Sequence, residues 1–538
     1  MKHRRILSGL AALMLAASLP MSALAREWDI ADGDITIVAD NDGQKVSQGT
    51  ENDISDDNPV IIGNSATNTV SIVAEKDRTA NVTLSGANID GSTTGNAAVS
   101  TTGEGNVSIE LDGDSTLKSG STHAGLEKNN GGSLTIADED KNGKLTAEGG
   151  GYGAGIGGGY NGTGSDITIS GGEVKATGGS YGAGIGGGNR GTGSDITISG
   201  GEVEATGGTW SAGIGGGNRG TGSNITISGG EVEAAGGTWG AGIGGGQGGS
   251  GNKIAISGGK VNATGGYAGA GIGGGENGDG SDIIISGGEV KATGGSYGAG
   301  IGGGCGDSGS DITISGGEVK ATGGVNGAGI GGGCYRDGNN ITVSGDAKLK
   351  VQGGVEDDTD GAGAGIGNGG SNAYGSQIPG AEVEPDTSGL TTGRIEYYAP
   401  GADMDKDAPS QTIVGTYIPP QPAREAAAPA QPTAPLYRVT DGDGKDVSYE
   451  TTWRDGVLTV TVEADWAVLT GRLSGIASLQ AQGIERIVFI TKGATSEFLT
   501  ADLLAAAPAT ERYALTHDGE TVTFTAGEAD VSGILVKA

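Results

Sequence analysis

Residues 166–188 read Asp166-Ile-Thr-Ile-Ser-Gly-Gly-Glu-Val-Lys-Ala-Thr-Gly-Gly-Ser-Tyr-Gly-Ala-Gly-Ile-Gly-Gly-Gly188, and the chain repeats this stretch almost unchanged. Its hydrophobic period is two, not 3.6. Ile167 and Ile169 share one face while Asp166 and Thr168 share the other. Val174 and Ala176 alternate with Glu173, Lys175 and Thr177, and Ala183 and Ile185 alternate with glycines. Three short alternating runs bounded by glycine pairs predict three strands and three turns, with no helix between them.

The string Ala-Gly-Ile-Gly-Gly-Gly begins at Ala154, Ala183, Ala212, Ala241, Ala270, Ala299 and Ala328, each start 29 residues after the last. A unit this small cannot bury its own apolar face, so it must stack on its neighbours. The expected fold is all-β: a parallel β-helix of 29-residue coils spaced ~4.8 Å apart, with columns of Ile, Val and Ala inside. Residues 26–153 carry worn copies. Asp34-Ile-Thr-Ile-Val, Asn81-Val-Thr-Leu-Ser, Asn106-Val-Ser-Ile-Glu and Ser133-Leu-Thr-Ile-Ala echo the first strand, and Ala124-Gly125-Leu126 echoes the glycine motif. The regular repeats and an end cap occupy 154–400. A Pro/Ala-rich linker at 401–435 follows, with six prolines between Pro419 and Pro435. Residues 436–538 read as a small α+β domain. Gly456 to Glu463 and Arg486 to Thr491 are its expected strands, Ser496 to Ala507 a helix capped by Ser496, and Asp518-Gly519 a hairpin turn.

The first 25 residues place the protein outside the cytoplasm. A basic start, an apolar run from Ile6 to Leu19 and small residues at Ala23-Leu24-Ala25 form the pattern of a secretory signal peptide. No later segment is apolar enough to span a bilayer. Glycine supplies 116 of 538 residues without a three-residue period, which excludes collagen. The formal net charge of −33 would repel a phosphate backbone, so nucleic acid is not an expected partner, whereas neutral sugars and divalent cations are compatible with it.

The alternation of the glycine motif with Asp-Ile-Thr-Ile-Ser-Gly-Gly-Glu-Val resembles the glycine-rich repeats of exported surface proteins from clostridia and related gut bacteria. It is also similar to the extracellular β-helix carbohydrate-binding proteins of that group. The resemblance covers roughly residues 30–370 and implies a right-handed helix, binding of acidic polysaccharide, and calcium. No calcium-ligand set of those relatives maps onto this sequence.

Two columns follow from the repeat itself. Tyr152, Tyr181, Trp210, Trp239 and Tyr297 occupy one place in their units, with Tyr267 a residue out of register. Stacked rings offer a platform for the C–H faces of sugars; equally, they share parity with Ala183 and Ile185 and would cap the core at a corner. The second column runs Glu173, Glu202, Glu231, Lys260, Glu289 and Glu318, beside Lys175, Glu204 and Glu233. Glu202, Glu204, Glu231 and Glu233 form the strongest concentration of negative charge and are the candidate calcium ligands, with solvated strand faces as the plainer account.

Enzyme signals are absent from the pattern: the histidines after the leader, His123 and His517, lie near no plausible nucleophile. The Gly-Asn-Arg-Gly turns at Arg190 and Arg219 recur only in part. The reading is a monomeric, secreted or cell-surface, non-catalytic protein that binds a polysaccharide or cell-wall glycan, adhesin-like in character. A structural cell-envelope protein without a ligand and a polysaccharide lyase stand as alternatives. Finally, Cys305 and Cys334 lie one period apart, which sets their Cα atoms ~4.8 Å apart and within reach of a disulfide.

Overall fold

The computed structural model describes residues 26–356, 361–373, 376–415, 436–454, 456–481, 483–507, 511–519, 521–527 and 529–536. The signal-peptide segment and most of the expected linker lie outside them. The chain divides into two compact units, one ending at Pro419 and one beginning at Pro420.

The first unit is a parallel β-solenoid of 29-residue coils. Its three sheets hold 12, 14 and 13 strands. A representative coil gives each sheet one strand: Gly193–Ile198, Glu202–Thr206 and Ile214–Gly215. Pairing is in strict register, so Ile198 sits between Ile169 and Ile227 and Val203 between Val174 and Val232. The period-two alternation sends Ile196, Ile198, Val203, Ala205, Ala212 and Ile214 inward, and all are buried. Gly201 turns the corner between the first two strands at φ +82°, a conformation that suits glycine.

Both ends are closed. At the N-terminal end Ile35–Asp40 folds back through Gly43–Gln48 and Glu51–Ser55 as antiparallel strands, covering an edge that would otherwise recruit another chain. The Trp28 indole plugs this end and donates to Asp56 over 2.8 Å, both residues being buried. Two sequence expectations change here. Asp34-Ile-Thr-Ile-Val echoes the first strand in sequence, yet Ile35–Asp40 pairs with Val70–Ala74 in the sheet of the glycine motif. The end cap also runs past 400: Gln411–Val414 returns antiparallel to Arg394–Tyr398, so the extended linker cannot begin at 401. A β-branched Thr-Ile-Val run satisfies the last open edge.

The second unit combines a five-stranded antiparallel sheet with a four-stranded mixed sheet and two helices, α1 (Leu473–Ala481) and α2 (Thr500–Ala506). Its core gathers Leu469, Phe489, Phe498, Tyr513 and Phe524. The helix expected from Ser496 starts later, because Thr495–Leu499 pairs with Arg486–Ile490 as a strand. Alternation decides it: Ser496 and Phe498 are buried while Glu497 faces out and pairs with Arg486 at 2.8 Å. α1 carries no signal that the sequence reading picked up. The hairpin through Asp518-Gly519 forms as expected.

Inward and outward positions should respond differently to charge. Ile198→Asp buries a carboxylate without a partner and should cost about 3–5 kcal/mol, whereas Thr197→Asp, one residue earlier and half-exposed, should cost about 1 kcal/mol or less. Thermal melts giving equal losses would mean the face assignment is wrong. A second outcome concerns His517, buried between the Thr491 and Ser496 hydroxyls at 3.1 and 2.8 Å and against the Phe489 ring. Burial holds its imidazole below the ordinary range. The unfolded chain therefore takes up a proton near pH ~6.5 that the folded unit refuses. Stability is complete above that pH and falls as pH drops, by about 1.4 kcal/mol per unit. Melts between about pH 7.5 and 5 should show a steeper loss for the native chain than for His517→Gln.

Candidate functional site

The turn that joins the second strand of each coil to the glycine motif holds the aromatic column. The rings face one another. Tyr152 and Tyr181 stack with centroids 5.2 Å apart and 9° between planes, Tyr181 and Trp210 at 6.3 Å and 5°, and Trp210 and Trp239 at 5.7 Å and 17°. Tyr267 then crosses edge-on between Trp239 and Tyr297, at 6.1 and 5.0 Å, so the column continues unbroken through the coil where the register slips. The expectation of a flat platform is thus corrected. In-register stacking turns ring faces toward neighbouring coils, and what the half-buried Tyr181, Trp210 and Trp239 give to solvent is mainly edge.

A second column is stitched to the first. The backbone N–H groups of Asn189, Asn218, Gln247 and Glu276 donate to the carbonyls of Tyr152, Tyr181, Trp210 and Trp239 over 2.8–3.0 Å. Their side chains form a ladder: Asn218 Nδ2 donates to Gln247 Oε1 at 3.2 Å, and Gln247 Nε2 to Glu276 Oε2 at 2.7 Å. At its open end Asn189 Oδ1 is buried without a partner. Tyr160, one coil earlier in this column, meets Tyr152 edge-on at 5.4 Å. Next to the amides stand Arg190 and Arg219, both exposed and both at positive φ, +62° and +61°. Asn161, Gly248, Asn277 and Gly306 fill that position in other coils and Tyr335, at φ +67°, in a later one, so the arginines and Tyr335 hold a conformation that side-chain-bearing residues seldom adopt. Neither guanidinium has a partner among the described residues. The repeat made these columns legible; the amide ladder was missed because its members change identity from coil to coil.

The acidic quartet behaves differently from the expectation. Glu202, Glu204, Glu231 and Glu233 do stack in register. However, Glu204 pairs with Lys175 at 2.6 Å and Glu231 with Lys260 at 2.5 Å, and the four carboxylates do not converge. Neighbouring lysines reach two of the four, and the quartet is not among the converging carboxylate groups of the described residues. The carboxylates that do converge among the described residues are Glu110, Asp138 and Asp140. Several of their oxygens already accept backbone N–H groups, those of Glu139, Asn142 and Gly143.

One irregular polar knot sits at the N-terminal end of the aromatic column. There the motif reads Ala124-Gly-Leu-Glu-Lys-Asn-Asn130 instead of Ala-Gly-Ile-Gly-Gly-Gly. Glu127 Oε2 takes the His123 Nδ1 contact at 2.8 Å and the Ala124 N–H at 3.0 Å, while Oε1 accepts from Asn129. Lys128 is buried, donates to the Asn130 carbonyl at 2.9 Å, and is held below the usual lysine range by desolvation. A side chain fits at Glu127 because it does not take the positive φ of its in-register neighbour Gly157. Loss of glycine from a glycine motif is the signal that marks it in the sequence.

Cys305 and Cys334 continue the amide column. Their Cα atoms lie 4.8 Å apart and the sulfurs are bonded. Hence one column runs from tyrosine through amides and an acid to a disulfide.

Fold and columns together define a parallel β-solenoid repeat protein with a continuous side-chain strip along one corner. A family model described as a beta helix repeat matches residues 141–160, 167–189, 196–218, 225–247, 254–276, 283–305 and 312–334, one match per coil. No curated protein and no solved structure matches the chain. These matches fall on the coils of the solenoid, whose fold is a parallel β-helix. Among the described residues no helix is long and apolar enough to cross a membrane.

The disulfide should be visible in solution. Intact mass under non-reducing conditions should fall two hydrogens short of the reduced chain. Replacing both cysteines by serine should lower the opening free energy of the coils around 305–334 by about 3–4 kcal/mol, the chain-entropy value for a loop of this length, as read by amide hydrogen exchange. Free thiols in a sample purified without reductant would contradict it.

Proposed function

We propose that the solenoid is an exported, non-catalytic glycan-binding module that reads an extended acidic polysaccharide along its aromatic corner. The observation that carries this reading is the strip formed by the edges of Tyr181, Trp210 and Trp239, the amides of Asn189 and Asn218, and the unpaired Arg190 and Arg219. Ring edges carry the positive part of the aromatic quadrupole, so they suit hydroxyl and carboxylate oxygens rather than C–H faces. Amides supply both donors and acceptors, and guanidinium forks match carboxylates. A polymer whose monomers advance by about the rise of one coil meets ring edge, amide and guanidinium on two successive rungs, at Asn189–Arg190 and Asn218–Arg219. Export is supported by the order of basic, apolar and small residues in 1–25 and by the Cys305–Cys334 bond, which belongs with oxidising compartments. Surface attachment through that glycan is the adhesin-like part of the proposal.

A structural envelope role is the second reading, and the self-stacked ring faces favour it, because a ladder that satisfies itself needs no ligand.

Retention on immobilised polygalacturonate and on a neutral glucan separates the two. The native chain should be held by the acidic polymer with and without chelator, since the carboxylates of the acidic quartet do not converge. Trp210→Ala with Trp239→Ala, and separately Arg190→Ala with Arg219→Ala, should each weaken retention by roughly tenfold or more. Unchanged retention in both pairs would sink the corner-strip reading and leave the structural one. Unsaturated products released during incubation would turn it toward a lyase, with His123 and Glu127 the first residues to replace.

A further inference from the structure

The C-terminal unit contains a cavity of about 690 Å³ lined by Tyr437, Arg438, Tyr449, Gly471, Arg472 and Arg512, among others. Strand register explains the concentration of cations. Arg438 pairs across with Thr470 and Arg472 with Arg512. By alternation, Arg438, Thr470, Arg472 and Arg512 share one face of three neighbouring strands. Asp446 neutralises Arg438. Arg472 and Arg512 have no ionic or hydrogen-bonding side-chain partner among the described residues, in a chain that holds 65 acidic groups against 32 basic ones. Like charges directly opposite each other on paired strands repel, so an anion between them would relieve a real cost.

Two further features face the same space. α1 starts at Leu473, directly after Arg472, which places Ser474 and Gly475 of the cavity wall in its first turn. N–H groups there lack intrahelical acceptors and favour negative charge. Behind Gly471, the Tyr513 side chain is buried and its hydroxyl has no hydrogen-bond partner. That hydroxyl lies beneath Gly471 on the core face of the sheet and is shut off from the cavity. Burial raises the hydroxyl of Tyr513 well above the tyrosine range and pushes that of Tyr437 to about 12, so both remain protonated donors. The Tyr437 and Tyr449 rings, 5.9 Å apart, form an aromatic wall.

We propose that this cavity is a second binding site, for a sugar bearing a carboxylate or phosphate group. The anion sits between Arg472 and Arg512 at the start of α1, and the sugar ring lies against Tyr437 and Tyr449. The site stands apart from the aromatic corner and does not depend on it.

The test uses the full chain carrying Trp210→Ala and Trp239→Ala, so that the solenoid strip is disabled. Calorimetry is run with trigalacturonate, with a short glycerol-phosphate oligomer and with maltotriose. At least one acidic probe should bind, the neutral one should not, and the preferred acid identifies carboxylate or phosphate as the natural group. Adding Arg472→Ala and Arg512→Ala should weaken that binding by roughly tenfold or more at unchanged melting temperature. Tyr513→Phe should leave binding unchanged and stability equal or higher, because it removes an unpartnered buried hydroxyl that the cavity does not reach. No binding of either acidic probe overturns the proposal. So does an affinity that survives the arginine pair.

Discussion

Each regular coil of the solenoid, from Gly157 onward, depends on a close backbone approach that glycine alone permits. At Gly186 the chain adopts φ +129°, and a Cβ built there would sit 2.1 Å from the carbonyl oxygen of Gly215. The same clash recurs one coil on, between Gly215 and Gly244, and along the column to Gly331 against Gly367. Conformation and space therefore exclude a side chain independently. The third strand shrinks to two residues per coil, as in Ile214–Gly215, and packs its backbone where other sheets pack side chains. The glycines are thus a packing surface, and the interior they leave is narrow enough for Ala212 and Ile214 to fill.

Once that register is locked, each sequence position becomes a column, and column chemistry replaces pairwise chemistry. Apolar columns gain, since identical Ile and Val side chains nest at every level. Charged columns are tolerated only with relief, which is why Lys144, Lys175, Lys260 and Lys348 each reach a glutamate in an adjacent coil. Such exposed pairs contribute about 0–1 kcal/mol each, so they offset repulsion rather than hold the fold. Aromatic columns stack on themselves, and amide columns hydrogen-bond along their length. The strip at the corner is the place where these last two kinds of column meet.

The solenoid was legible because its signal is redundant: seven near-identical copies expose the period, the inward faces and the Cys305–Cys334 adjacency without any three-dimensional information. Ring orientation was not legible. Position in the repeat places Tyr181 and Trp210 together, but whether their faces meet or point outward depends on side-chain torsions that the pattern does not encode. The amide ladder failed for another reason, since Asn189, Gln247, Glu276 and Cys305 share a place but no residue type. In the C-terminal unit there is a single copy of everything. Ser496-Glu-Phe-Leu followed by Thr-Ala-Asp-Leu-Leu satisfies a helix and a strand equally over short windows, and tertiary pairing with Arg486–Ile490 decided between them.

Departures from the repeat are therefore the informative positions. A coil that could have used glycine or asparagine at the left-handed turn instead carries Arg190 or Arg219, and strain retained at a side-chain-bearing residue points to what that side chain does. The glycine motif gives way to Glu127 and Lys128 at one end of the aromatic column and, farther along, the amides give way to a disulfide. All three departures fall on or beside the same corner. On the sheet face Thr168, Thr197 and Thr226 recur and then give way to Ala255 and Ile284. In a structure whose stability is spread evenly over many equivalent rungs, an irregular residue is not needed to hold the fold. Its presence on the corner already lined by rings and amides is what favours placing the proposed glycan contact there rather than on the sheet faces.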